Sequence, residues 1–355
     1  MATTTDPNLA AVIETAHAQL KVIQRPIPTP GRGEILVRNH AIAANPLDWK
    51  LQVEDLSVIM SIYPNVLGSD CSGSIVSLGP DVTRFSVGDR VMGLSLKVNQ
   101  EPDYGAWQTY TLLRAVNTTR LPERMGFEEG AVFPMAVATS AIAIFECLGI
   151  ERPVTTRTRG EEGKGILIWG GASSVGTMAI QLARNLGFTV FATASPIHHD
   201  YLKGLGASEL FDYRSHTVCE DIVTAASKAG VSISYGFDCV TEGTTAQQSA
   251  EILLASGGKG SKLCLVLPWP EKYAKPEGLD ISMPAALRVG LDLTELGEWL
   301  FNDYLEKALE DGSIVPSPKI EIIEGGIGAT QKVFDILRKG VSGKKLVVTV
   351  DEGRL

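Results

Sequence analysis

The chain has 355 residues, 44% apolar and 21% charged, the balance of a globular protein long enough for two cores. A net charge of -9 opposes nucleic-acid binding, and no stretch approaches the roughly 20 unbroken apolar residues of a spanning helix, so neither a nucleic-acid nor a membrane protein is expected. The opening MATTTDPNLA has no signal or transit pattern, which makes the cytoplasm the expected compartment, and five cysteines without a CxxC pair point to reduced thiols.

Glycine and proline punctuation in the first third separates strand candidates at Glu34–Ala43, Gly68–Val76 and Asp89–Met92, which predicts a compact, β-rich, barrel-like domain. The texture changes near Gly126, where a helical apolar run, Ala131–Leu148, leads into alternating strands and helices. Gly165–Trp169 reads as a strand, Thr177–Leu186 as a helix with Met178, Leu182 and Leu186 on one face, and Phe188–Ala194 as the next strand. Further strands are expected at Ser208–Phe211, Ser234–Val240 and Lys262–Leu267, and this alternation predicts a doubly wound parallel sheet. Helix resumes from Asp292 to Glu310, a strand is expected at Lys319–Ile323, a helix at Thr330–Lys339 and a closing strand at Lys345–Val350.

Between the first strand and helix of the βαβ unit lies Gly170-Gly171-Ala172-Ser173-Ser174-Val175-Gly176. Glycines allow a tight turn and close backbone approach to a pyrophosphate, while a helix start offers unpaired N–H groups. The spacing matches Gly-x-Gly-x-x-Gly except that Ser173 replaces the second glycine. A glycine turn that serves packing alone is the alternative, and the strand, turn, helix and strand around it favour the dinucleotide reading. An NAD site places an acid against the ribose 2′-hydroxyl after the second strand, whereas this chain has Ala194-Ser195-Pro196-Ile197-His198 there. With no carboxylate to repel a 2′-phosphate, and with Ser195, His198 and Tyr213 as donors, the expected cofactor is NADPH.

Asn45-Pro46-Leu47-Asp48-Trp49-Lys50, Gly68-Ser69-Asp70-Cys71-Ser72-Gly73, Val87-Gly88-Asp89-Arg90-Val91, the Gly170–Gly176 turn and the ending Ser342-Gly343-Lys344-Lys345-Leu346-Val347 resemble the medium-chain dehydrogenase/reductase superfamily over nearly the whole chain. The resemblance implies an α/β protein with a GroES-like catalytic domain at 1–125 and 317–355 and a Rossmann domain at 126–316. Zinc-dependent members place a cysteine where this chain has Asn45 and a histidine-acid pair where it has Ser69-Asp70, and neither Asn nor Ser is a customary zinc ligand, so no metal is expected. The stretch Lys97–Tyr104 stands where their structural zinc lobe would be. Within the zinc-free branch the chain is similar to quinone-reductase-like proteins and to fungal trans-acting enoyl reductases.

Reducing an enone or enoyl thioester builds negative charge on the carbonyl oxygen, and without a Lewis acid that charge must be met by preorganised donors. The resemblance places Lys50 and Thr139 at the nicotinamide end of the active site; Leu267, at the C-terminal end of its strand, is expected against the nicotinamide, and Lys345 is a candidate for the cofactor from the tail, with a plain charged surface residue as its alternative. Asn45 and Asp48 join the cofactor-binding set as residues that hold the local backbone. The expected substrate is a small apolar carbonyl compound, with a polyketide synthase as the implied partner and a monomer or homodimer as the assembly. A quinone or carbonyl reductase, and a cofactor-binding protein without redox activity in a biosynthetic pathway, remain as alternatives.

Overall fold

The computed structural model describes residues 7–54, 60, 62–96, 101–158 and 160–350. They form two compact units, one of Met1–Met135, Leu287–Glu310 and Lys319–Leu355, the other of Ala136–Ala286 and Asp311–Pro318. Of the Lys97–Tyr104 stretch, residues 97–100 lie outside the described residues.

Unit 1 is built on two sheets. β1 (Asn8–Ile13), β2 (Lys21–Arg25) and β4 (Asn65–Val66) form a small antiparallel sheet in the order β2-β1-β4. The larger sheet holds β3 (Glu34–Ala43), β5 (Asp70–Leu78), β6 (Arg90–Leu94), β7 (Tyr110–Arg114) and β8 (Thr118–Arg120). β3 is its spine. One part of β3 pairs with β7 while nearly its full length pairs with β5, and register shifts between Leu36 and Val37 and between Asn39 and Ala41 bend the strand between these neighbours. Asn39, fully buried, stitches the bend: its Nδ2 donates to the carbonyls of Ala106 and Gln108 and to Thr111 Oγ1 at 2.8–3.1 Å. The core below is aliphatic around Trp107, whose ring meets Phe334 edge-on at 5.6 Å.

Unit 2 is a parallel sheet of β9 (Gly165–Trp169), β10 (Thr189–Thr193), β11 (Glu209–Phe211), β12 (Ile233–Asp238), β13 (Ser261–Leu265) and β14 (Leu279–Ser282), in the order β11-β10-β9-β12-β13-β14. Every residue of β9 is buried, as expected for a strand covered on both faces. The chain runs outward from β9 to β11 and then returns to place β12 on the other side of β9. Sheets of this kind bind ligands beyond the carboxyl ends of the strands where the order reverses.

The tail returns to unit 1. β15 (Lys319–Ile322) lies beside β16 (Lys344–Thr349), which pairs antiparallel with β3, with Val347 opposite Ala43. Residues 287–310 also group with unit 1, whereas the bounds implied by the family resemblance include them in the Rossmann domain. Their backbone is captured by polar side chains of the β7–β8 region: Asn117 Nδ2 donates to the Val289 carbonyl, Thr119 Oγ1 to that of Phe301, and Asn302 Nδ2 returns bonds to the carbonyls of Ala115 and Thr118. Residues 311–318 are held in unit 2 by Gln181 and Asn185, which bond the backbone at Ser313 and Val315.

The apolar run breaks into α2 (Phe127–Ala131), α3 (Pro134–Ala141) and a π-helical continuation, Ile142–Cys147. By length and composition Phe127–Cys147 passes as a membrane-crossing helix, yet 83% of its most apolar stretch is buried within the protein.

Replacing Asn39 by Ala would leave the buried Gln108 carbonyl without its side-chain donor and the Ala106 carbonyl with the Gln108 amide alone, and a loss of about 2 kcal/mol in unfolding free energy is expected from denaturant titration. A loss below about 1 kcal/mol would show that the bend does not depend on this side chain.

Candidate functional site

The glycine turn joins β9 to α4 (Ser174–Leu186), so the helix starts three residues earlier than its apolar pattern suggested. Ser173 is the reason: its Oγ accepts from the Gly176 amide at 3.0 Å and donates to the Gly170 carbonyl at 2.9 Å, capping the helix. The serine standing in for a glycine of the fingerprint therefore shapes the turn. Gly170 adopts φ 76°, and a Cβ on Gly176 would meet the Gly170 carbonyl oxygen at 2.3 Å. Gly170 and Gly171 donate to Thr193 of β10. The amides of Ala172, Ser174 and Val175 have no acceptor among the described residues, and at the positive end of a helix they suit the oxygens of a pyrophosphate. A dinucleotide therefore fits this turn, held by backbone from Gly170 to Gly176.

Past β10, Ser195 and Tyr213 come together, with Ser195 Oγ 3.5 Å from the Tyr213 hydroxyl. Tyr213 is exposed, and the Arg214 guanidinium lies 5.7 Å from its ring centroid. Arg214 grips Asp212 through two bonds of 2.9 Å, which holds that carboxyl below the ordinary carboxylate range. His198 is half-buried in the short helical turn Pro196–His198, and the adjacent His199 ring bonds the Ala194 carbonyl at 3.0 Å. Leu267 lies two residues beyond the end of β13, half-buried, because pairing stops at Leu265.

A turn that pattern reading missed lies beside the glycines. Buried Asp238, ending β12, accepts from the Val240 and Thr241 amides at 2.9 Å and from Thr245 Oγ1 at 2.6 Å. Thr241 has φ 51°, rare for a β-branched residue, and a Cβ on Gly170 would lie 2.4 Å from Val240 Cγ2. The signal available beforehand was an Asp two to three residues ahead of the amides it caps.

In unit 1, Asn45, Asp48 and Lys345 converge with Asp70, a residue of the Gly68–Gly73 motif that was not among the expected site residues. Asn45 precedes α1 (Pro46–Val53). Its Oδ1 accepts from Lys345 Nζ at 2.6 Å, its Nδ2 donates to Asp70 Oδ2 at 2.9 Å, and its backbone amide donates to Asp48 Oδ2 at 3.0 Å. Lys345 also pairs with Asp70 Oδ2 at 3.1 Å, the two side chains being 3% and 0% exposed. The other Asp70 oxygen accepts from the Met135 amide at 2.7 Å, in the first turn of α3, the helix that carries half-buried Thr139. Trp107 Nε1 donates to Asp48 Oδ2 at 3.2 Å, while Asp48 Oδ1 is buried without a partner. Lys345, expected at the cofactor, thus has its ammonium enclosed by protein acceptors. Lys50, in the last turn of α1, is half-buried with its Nζ 5.6 Å from the Trp49 ring centroid.

Burial pushes the Asp48 carboxyl up to about 7, against the opposing bonds from Asn45 and Trp107 and with Asp70 adding to the rise. Burial also raises Asp70, which Lys345 and Asn45 pull back. Within this cluster of two carboxyls and one ammonium, Asp48 is the group that burial brings near neutrality.

Comparison with known proteins gives two family models, an alcohol dehydrogenase GroES-like domain matching residues 31–123 and a zinc-binding dehydrogenase matching 174–260. The trans-enoyl reductase tndF of Aspergillus flavipes is 37% identical over 345 residues, covering 96% of this chain and 98% of that protein. The trans-enoyl reductase tazE of Aspergillus terreus is 40% identical over 254 residues, 70% of this chain and 82% of that one. An alcohol dehydrogenase superfamily protein from Novosphingobium aromaticivorans shares the fold, with a TM-score of 0.80 at 24% identity over 97% of this chain and 100% of its own. The second family model carries zinc in its description, but among the described residues no group of three or more His, Cys, Asp and Glu is placed to hold a metal ion. An ammonium already lies between Asn45 and Asp70. The residues present do not fit zinc.

Because the folded protein holds the Asp48 proton more tightly than the unfolded chain, this stabilisation is complete below about pH 4, declines as pH rises, and is exhausted above about 7. Asp48→Asn, which keeps an acceptor for both donors, is expected to gain stability relative to the parent between these limits, by at most about 4 kcal/mol. Parallel denaturation curves at all pH values would overturn this assignment.

Proposed function

This chain belongs to the medium-chain dehydrogenase/reductase superfamily, whose enzymes bind a nicotinamide cofactor, and on that premise we propose that it is an NADPH-dependent reductase of an activated C=C bond in an enone or enoyl thioester. The observation that carries the reading is the capped glycine turn with its open amides at the reversal of strand order in unit 2. Relatives named trans-enoyl reductases support the choice of acceptor. An acyl chain delivered by a polyketide synthase is the natural substrate of such an enzyme, and the cytoplasm its compartment.

For the phosphorylated cofactor, support comes from Ser195 and Tyr213, two adjacent hydroxyls, with Arg214 alongside and no acid on the loop that follows β10. Asp212 is the nearest acid in sequence to Tyr213, and Arg214 neutralises it. NADPH, when bound, supplies the hydride to the β-carbon. The residues of the chain then have two tasks: to hold the diphosphate through the Gly170–Gly176 backbone and to stabilise the oxygen on which charge accumulates. Lys50 is the residue for the second, its ammonium donating to the developing enolate oxygen.

Two measurements test this. Titration should show NADPH bound more tightly than NADH, and Ser195→Ala combined with Tyr213→Phe should weaken NADPH alone by about tenfold, the size of one hydrogen bond to a charged group; equal affinities for both nucleotides would overturn the NADPH assignment. With enones, Lys50→Met should lower kcat by on the order of 100-fold while leaving NADPH affinity intact. Turnover of quinones or aldehydes in preference to enones would reject the proposed acceptor.

A further inference from the structure

We propose that Lys345 is a positioning residue for Lys50, its ammonium clamping Asn45 and Asp70 so that α1 is held in one orientation. The role given to Lys50 rests on the reading above, whereas the clamp rests on geometry alone.

α1 is only eight residues long, too short to be stable by its own hydrogen bonds, so its direction must come from tertiary ties. Strand register supplies the first tie. β16 pairs antiparallel with β3 with Val347 opposite Ala43, and the Ala44 amide donates to the Leu346 carbonyl, so the ladder brings Lys345 level with Asn45 just before α1 begins. On its other side β3 pairs with β5 with Ala43 opposite Asp70, which brings the carboxylate to the same point. One asparagine then accepts from the ammonium and donates to the carboxylate, and both of its amide atoms are fixed. The second tie, Asp48 to Trp107 and to the Asn45 amide, pins the first turn.

A fully buried ion pair is a poor way to gain stability, since desolvation offsets most of the attraction. Its directional bonds do restrict where a helix can start. Asp70 Oδ1, fixed by the same pair, also holds the Met135 amide at the start of α3. The positive charge at this point of unit 1 is thus provided by the chain itself.

The test compares the parent with the double variant Lys345→Met/Asp70→Asn, which removes both charges of the pair together, so that Asp70 is not left as a carboxylate without its ammonium. Expected are a melting temperature near that of the parent, unchanged NADPH affinity, kcat with enones lowered about tenfold or more through misplacement of Lys50, and faster hydrogen exchange of the amides of 47–53 than in the parent. A kcat with enones equal to that of the parent would overturn the proposal, because Lys50 would then be placed without the pair. Unchanged exchange across α1 would overturn it as well. If the parent itself turns over no enone, the proposed function fails, and the exchange measurement, which needs no substrate, still decides the clamp.

Discussion

Two stretches of backbone in the β9–α4 turn approach so closely that no side chain fits between them, and the functional reading depends on this contact. A Cβ at Gly176 would lie 2.3 Å from the Gly170 carbonyl oxygen. With that space empty, the Ser173 hydroxyl can close the turn, the helix begins at Ser174, and the amides of Ser174 and Val175 have no acceptor among the described residues. Val240, held by the Asp238 turn, packs against the same glycine from the neighbouring strand. The strained φ of Thr241 belongs to this arrangement, since Asp238 fixes the amides on either side of the bend.

Unit 1 solves a different problem, that of keeping charge inside an aliphatic core. Asp48, Asp70 and Lys345 are all buried, and in place of water the two carboxyls accept from Asn45, Trp107 and the Met135 amide while the Lys345 ammonium donates to Asn45 and Asp70. The unpartnered Asp48 Oδ1 marks where the replacement is incomplete, and burial raises that carboxyl accordingly. Among the described residues no group of three or more His, Cys, Asp and Glu is placed to hold a metal ion, although the family description names zinc. Asn45 explains much of this: an amide can accept from an ammonium and donate to a carboxylate at once, which suits an ion pair and is poorly suited to zinc.

The relatives agree with this picture at the level of family. Matches of 37% and 40% identity to fungal trans-enoyl reductases, one of them spanning 96% of the chain, place it among medium-chain reductases. The shared fold with the bacterial alcohol dehydrogenase superfamily protein speaks to architecture alone.

What the amino-acid order determined by itself was local. The βαβ unit was legible because Gly165–Trp169 is a continuous apolar run, Met178, Leu182 and Leu186 repeat at helical spacing, and a glycine cluster sits between. These signals act over a few residues. β1 and β2 gave little signal, since Asn8–Ile13 lacks alternation and its neighbours include Asn65 and Val66, far along the chain. Residues 287–310 looked like any helical stretch, and side chains at 117, 119 and 302 decided which unit they join. Lys345 is the clearest case: a lysine near the tail reads as a surface charge, and only the register of β16 on β3 brings it to Asn45, 300 residues away. Pairing between distant buried groups depends on strand register and the shape of the core, which only the folded chain defines.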